Sequence, residues 1–131
     1  EDRPQVRTPE DLAMLFLGPM TSLDHEQLWV AVLDTKHRLE RTVTVYQGSV
    51  NAAQVRIAEV FKEAVRANAP AIAIAHNHPS GDPTPSAADI ALTAELNHAA
   101  KVLDIDLIDH LIIGEGRCIS LRRLALGFPS G

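Results

Sequence analysis

Ala71-Ile72-Ala73-Ile74-Ala75-His76-Asn77-His78-Pro79-Ser80-Gly81-Asp82-Pro83-Thr84-Pro85-Ser86-Ala87-Ala88-Asp89 is the segment on which the reading of this chain turns. Its first five residues are short, apolar and preceded by Pro70, which reads as a buried central strand. Residues 76–85 hold three prolines and one glycine, so they form a rigid loop, neither helix nor strand. Ser86 then caps a helix expected to run to about Leu103. His76 and His78 stand two apart at the strand end, so both side chains leave on the same face. Two neutral imidazoles at one spot are a natural start for a zinc site, which takes a third protein ligand and keeps a fourth position for water. Asp89 can supply the third, because the proline-rich loop folds the first turn of the helix back over the strand end. Ser86-Ala87-Ala88-Asp89 is equally a capping box, which needs no metal. Two histidines in a loop are, likewise, often only polar surface. Their joint occurrence with the rigid loop and the carboxylate favours the metal.

Outward from this segment, helices and strands interleave. Thr8-Pro9-Glu10-Asp11 opens a helix with a threonine cap, a proline at the first position and acids in the first turn; it is expected to end near Gly18-Pro19. Residues 28–33 are a continuous apolar run of strand length, and residues 38–47 alternate as a half-exposed strand after a polar turn at 34–37. Val55, Ala58, Phe61, Ala64 and Val65 form one helical stripe within 51–67. Residues 105–113 form another strand, Glu115-Gly116 turns a hairpin into 117–120, and 121–126 read as a short closing helix. The fold class is therefore α/β, a mixed β-sheet flanked by helices. The 131 residues suit one domain over 1–131, with a flexible start at 1–7 and a flexible end at 127–131.

Composition narrows the function. An apolar share of 46% is ordinary for a globular protein, and no apolar run approaches the roughly 20 residues that a membrane helix needs. A net charge of −5 disfavours direct nucleic-acid binding, which needs a basic stripe. The opening Glu1-Asp2-Arg3-Pro4 is unlike a signal peptide and lacks an initiator Met, as in a processed chain or part of a longer one. One cysteine, Cys118, allows no internal disulfide and no cysteine-based zinc site, which suits a reducing cytoplasm.

Competing signatures fail. His25-Glu26-Gln27-Leu28-Trp29 starts like the zincin motif His-Glu-x-x-His, but Trp29 stands where the second histidine belongs. A deaminase needs a Pro-Cys-x-x-Cys segment that a single cysteine cannot provide. Asp109 and His110 share a strand and face opposite sides; His110 is either a partner of a metal ligand or a hydrogen bond within the sheet. His25, His37 and His98 read as solvent-facing, Asn77 as pointing away from the ligands, and Cys118, Trp29 and Phe61 as core. Arg117, Arg122 and Arg123 read as a solvated basic face.

The spacing also carries a resemblance. Ser86 stands eight residues and Asp89 eleven residues after His78, and His76-Asn77-His78-Pro79 precedes them; this resembles the JAMM (MPN-domain) metal motif. The wording from His76 to Pro83, with Asp109-His110-Leu111-Ile112, Gly48-Ser49-Val50-Asn51 and Asn68-Ala69, is similar to the RadC branch over about Thr8 to Ser120. The resemblance implies cytidine-deaminase-like layering of the α/β fold and a zinc-dependent hydrolase of peptide or isopeptide bonds, acting on a peptide or protein substrate. It implies one zinc on His76, His78 and Asp89. It also implies a catalytic glutamate opening the first core strand, the position of Glu26, and a role for Ser86 in steadying an oxyanion. Taken alone, Glu26 reads as an exposed acid at a strand start. The alternative that the branch suggests is a non-enzymatic module of DNA repair or transformation complexes. The chain departs from the branch at Ile57-Ala58, where Pro-Arg is usual before Glu59, and in its tail Ser120-Leu121-Arg122-Arg123. The helix-hairpin-helix segment that commonly precedes this domain is not read among these residues.

Overall fold

A computed structural model describes residues 3–129. Its elements run α1 (Pro9–Thr21), β1 (Gln27–Leu33), β2 (Leu39–Gln47), α2 (Ile57–Arg66), β3 (Ala71–Asn77), α3 (Ala87–Leu103), β4 (Asp106–Ile113) and β5 (Cys118–Ser120). The sheet order is β2-β1-β3-β4-β5, with β3 and β4 parallel and the other pairs antiparallel. The expected mixed α/β sheet is what forms, with helices on both faces.

The alternation Ala-Ile-Ala-Ile-Ala in β3 is a size pattern that assigns its two faces. Ala71, Ala73 and Ala75 join Leu12, Phe16 and Met20 of α1 in one buried cluster. Ile72 and Ile74 join Val60 and Phe61 of α2 and Leu92 and Leu96 of α3 in the other. All seven residues of β3 are buried, as a strand covered on both faces requires. The parallel pairing of β3 with β4 needs a crossover, which α3 provides, so the start of α3 sits above the carboxyl end of β3.

Several boundaries differ from the sequence reading, each for a local reason. β3 continues through His76 to Asn77, because His76 still pairs with Leu28 and Ile112 and Asn77 with Ile113. α1 continues through Pro19 to Thr21. α2 begins at Ile57, not at 51: the Asn51 side chain accepts from the amides of Ala53 and Gln54 and folds a turn there. Residues 121–125 form turns rather than a helix, with Ala125 at φ 56° and Leu126 N donating to Leu121 O. The loose ends expected at 1–7 and 127–131 lie partly outside the described residues. Within them the chain is held: Gln5 bridges Arg38, Val6 is 3% exposed, and Phe128 packs into the α2–α3 core.

Candidate metal centre

β3 carries His76 to the edge of the α3 face, on the same side as Ile72 and Ile74. His78 follows one residue past the strand. Its amide donates to Ile113 O, and its Nδ1 lies 2.9 Å from Asp82 O, which turns Nε2 towards His76. The loop after it is pressed onto the β4–β5 hairpin. Gly81 N donates to His78 O and Glu115 N to Gly81 O. A β-carbon on Gly114 would stand 2.4 Å from Gly81 O, so only glycine permits that approach.

α3 begins at this point with the expected capping box. Asp89 N donates to Ser86 Oγ, and Ser86 N donates to Asp89 Oδ2. The cap does not consume the carboxylate. Asp89 Oδ1 lies 3.0 Å from His76 Nε2, and Oδ2 lies 3.2 Å from His78 Nε2. The cap and a carboxylate turned towards both histidines therefore coexist in one geometry. Burial alone would push the Asp89 carboxyl up; hydrogen bonds from His76 and His78 outweigh it and hold the group well below the usual carboxylate range. The same contact with Asp89 raises His78 above the ordinary imidazole value.

Glu26 comes from the other side of the sheet's end, just before β1. Its Oε2 lies 3.6 Å from His76 Nε2. One donor atom from each of Glu26, His76, His78 and Asp89 falls within 4.8 Å of the others, a group able to hold a metal ion. His76 and Asp89 are closed from solvent, while the Glu26 and His78 side chains keep 23% and 18% exposure, so the cluster opens on their side. Ser86 is exposed at the same rim.

The structure also gives Asn77 a task that the sequence reading missed. Asn77 does point away from the ligands, but into β1. Its Oδ1 accepts from Gln27 N at 2.8 Å and its Nδ2 donates to His25 O at 3.0 Å. These are the two residues flanking Glu26. Gly48 N donates to the carbonyl of Glu26 itself, so the backbone is gripped on three counts. No local signal marks this clamp, since its partners are 50 and 52 residues away in sequence.

The remaining candidates fall into place around the cluster. His110 lies on the α3 face against His76, and Asp109 on the opposite face accepts from Ser120 Oγ and from the amides of His110 and Arg122. His25 and His98 are exposed; His37 is half-buried in the β1–β2 turn at φ 59°, where its carbonyl accepts from Val6 N. Phe61 is buried, while Trp29 and Cys118 are half-buried. Arg117, Arg122 and Arg123 are all exposed, as read from the sequence; Arg123 also pairs with Glu10 of α1 and Arg122 donates to carbonyls of β4. A surface cavity of about 540 Å³ lies at the far end of α3, beside Lys101, Asp104 and Asp106, and holds none of the four clustered residues. Donor chemistry rather than hollow volume marks the site here.

Fold and cluster together define a class: an α/β domain with a candidate metal centre at the carboxyl ends of its parallel strands. The chain belongs to the RadC-like JAB domain family, whose model matches residues 6–126. It is 55% identical over 128 residues to a UPF0758 protein of Chloroflexus aurantiacus, covering 98% of this chain and 56% of that protein. A UPF0758 protein of Roseiflexus castenholzii is 53% identical over 128 residues, covering 98% and 55%. One from Desulfitobacterium hafniense is 44% identical over 120 residues, covering 92% and 53%. The chain thus spans about half the length of these relatives.

Proposed function

We propose that this domain is a zinc-dependent hydrolase of peptide or isopeptide bonds, with His76, His78 and Asp89 as metal ligands and Glu26 as general base. The observation that carries the reading is the spacing of the donor atoms. Donors around a tetrahedral zinc at about 2.0–2.1 Å stand roughly 3.3 Å from one another. His76 Nε2 lies 3.2 Å from His78 Nε2 and 3.0 Å from Asp89 Oδ1, and His78 Nε2 lies 3.2 Å from Asp89 Oδ2. Two imidazoles and one carboxylate are a donor set suited to catalytic zinc, and the exposed side of the cluster gives water and substrate a way in.

A zinc ion held there supplies Lewis acidity, making water acidic enough to serve as a nucleophile near neutrality. The protein's own groups do the rest. Glu26 stands at the open side, anchored by Asn77 and Gly48, where its carboxylate takes the proton from the attacking water and returns it to the leaving amine. Ser86 Oγ accepts from Asp89 N, which leaves its single O–H free to donate to the oxyanion that develops on the substrate carbonyl. Peptide and isopeptide bonds present the same amide to this machinery. The single half-buried Cys118 suits a cytoplasmic setting for it.

Elemental analysis of the wild type and of His76→Ala/His78→Ala tests the site: about one zinc per chain, lost in the variant, is the expected result. Glu26→Gln then separates base from ligand. As a base it is expected to keep the zinc and lose hydrolysis of an amide library by at least ~100-fold. Loss of zinc in Glu26→Gln would instead make Glu26 a fourth ligand and the centre structural. A wild type that takes up no zinc ends the hydrolase reading and leaves Ser86 and Asp89 as a helix cap.

A further inference from the structure

Three buried polar side chains behind the cluster form a chain of hydrogen bonds that starts on one proposed ligand and ends on another. His76 Nδ1 lies 2.7 Å from His110 Nε2, His110 Nδ1 lies 2.7 Å from Thr93 Oγ1, and Thr93 Oγ1 donates to Asp89 O at 2.7 Å. His76, His110 and Thr93 are each 0% exposed. We propose that His110 and Thr93 are positioning residues that fix the ring of His76 in the one tautomer able to ligate a metal through Nε2, and tie that ring to the backbone of Asp89. This role rests on the metal reading above.

The direction of the chain follows from its far end. A backbone carbonyl only accepts, so the Thr93 hydroxyl must donate its single proton to Asp89 O. Towards His110 the same oxygen can then only accept, so His110 Nδ1 carries a proton. The hydrogen-bond partners of the His110 ring are Thr93 and His76, with no carboxylate among them, and a fully buried ring without such a partner is neutral. Its Nε2 is therefore bare and accepts from His76 Nδ1–H. With its Nδ1 proton committed to His110, His76 has Nε2 left for a metal, the atom that faces His78, Asp89 and Glu26 and that donates to Asp89 Oδ1 where no metal takes it. The same polarity is demanded from the other end, since a ligating Nε2 leaves the proton on Nδ1.

Position along the helix explains why Thr93 serves. It stands one turn after Asp89 on α3, so its hydroxyl reaches back to the carbonyl of the residue whose carboxylate faces the cluster. The chain end packs against it: a β-carbon on Gly127 would lie 2.7 Å from Thr93 Cβ, and Asn97 Nδ2 donates to both Thr93 O and Gly127 O. Water is thereby kept from offering His110 an alternative partner.

Thr93→Val keeps the shape and removes the hydroxyl; Thr93→Ser keeps the hydroxyl. His110→Phe removes the acceptor outright. Long-range proton–nitrogen NMR of the metal-free protein reads the tautomer of His76, and chelator competition reads zinc affinity. The wild type and Thr93→Ser are expected to show His76 protonated at Nδ1. Thr93→Val is expected to mix the two tautomers and to bind zinc ~10–100-fold more weakly, as for other partners of metal-bound histidines. Should His110→Phe fail to fold, Thr93→Val decides alone. A Thr93→Val protein with an unchanged His76 tautomer and wild-type zinc affinity overturns the positioning role while leaving the metal site standing. A wild type that binds no zinc overturns the metal reading and this role with it.

Discussion

At the scale of single residues, the cluster would set protons and a bound metal in competition for the same atoms. Asp89 raises His78 above its ordinary 6.5, so the folded metal-free chain holds that proton more tightly than the unfolded chain does. The stability this contributes is full below pH 6.5 and is lost as pH rises through the raised value. Zinc needs the bare Nε2, so its affinity moves in the opposite sense and falls as pH drops through the same window. Thermal melts of metal-free protein and zinc competition, each run across this range, are expected to show opposite slopes. Asn77 offers a second residue-scale test. Asn77→Ala strips Gln27 N and His25 O of buried partners and is expected to cost about 1–3 kcal/mol in a denaturant titration, with the zinc content unchanged. Loss of zinc in that variant would mean that the β1 end, and not β3 and α3, sets up the ligands.

At the scale of elements, the site depends on one loop lying flat on one hairpin. Gly114→Ala places a methyl 2.4 Å from Gly81 O and 2.6 Å from Pro83 Cδ. Backbone must move, and the loop that moves carries His78. The substitution is expected to lower zinc affinity by more than tenfold in chelator competition. Gly116→Ala is the control: it sits two residues away at φ 69° with nothing within 4 Å of its β-carbon, so it costs about 1–2 kcal/mol of backbone strain and leaves affinity alone. Equal effects from both would show that hairpin stability, not the loop contact, governs the site. Elements also mark the limits of pattern reading. The helical stripe over 51–67 continues past the true start of α2, because the Asn51 side chain captures its own backbone and apolar spacing does not register that competition. β3 outlasts its apolar run because pairing with both neighbours, not hydropathy, carries it to Asn77.

At the scale of the whole molecule, the apolar core and the candidate metal centre are distinct. The two apolar clusters lie on either face of the sheet, and none of the four donor residues belongs to them. The metal-free chain is therefore expected to stay folded in chelator. Zinc at about 100 times its Kd is expected to add about 2.7 kcal/mol, seen by calorimetry as a rise in Tm that Asp89→Ala abolishes. Unfolding of the wild type by chelator alone would place the metal in the fold itself. No helix among the described residues is long and apolar enough to cross a membrane.

The sequence by itself determined the class of fold and the candidate donor set. Both live in local patterns: an apolar strand, a loop stiffened by prolines, and a cap whose spacing returns a carboxylate to the strand end. Only the tertiary structure decided what supports them. Glu26 reads alone as an exposed acid until β1 pairs with β3 and lays it beside His76. Asn77 faces away from the ligands until that same register sets it between His25 and Gln27. His110 meets His76, 34 residues distant in sequence, only through the β3–β4 pairing. Periodicity reports which face a side chain takes, whereas contact across tens of residues depends on strand register and helix docking, which the packed core sets.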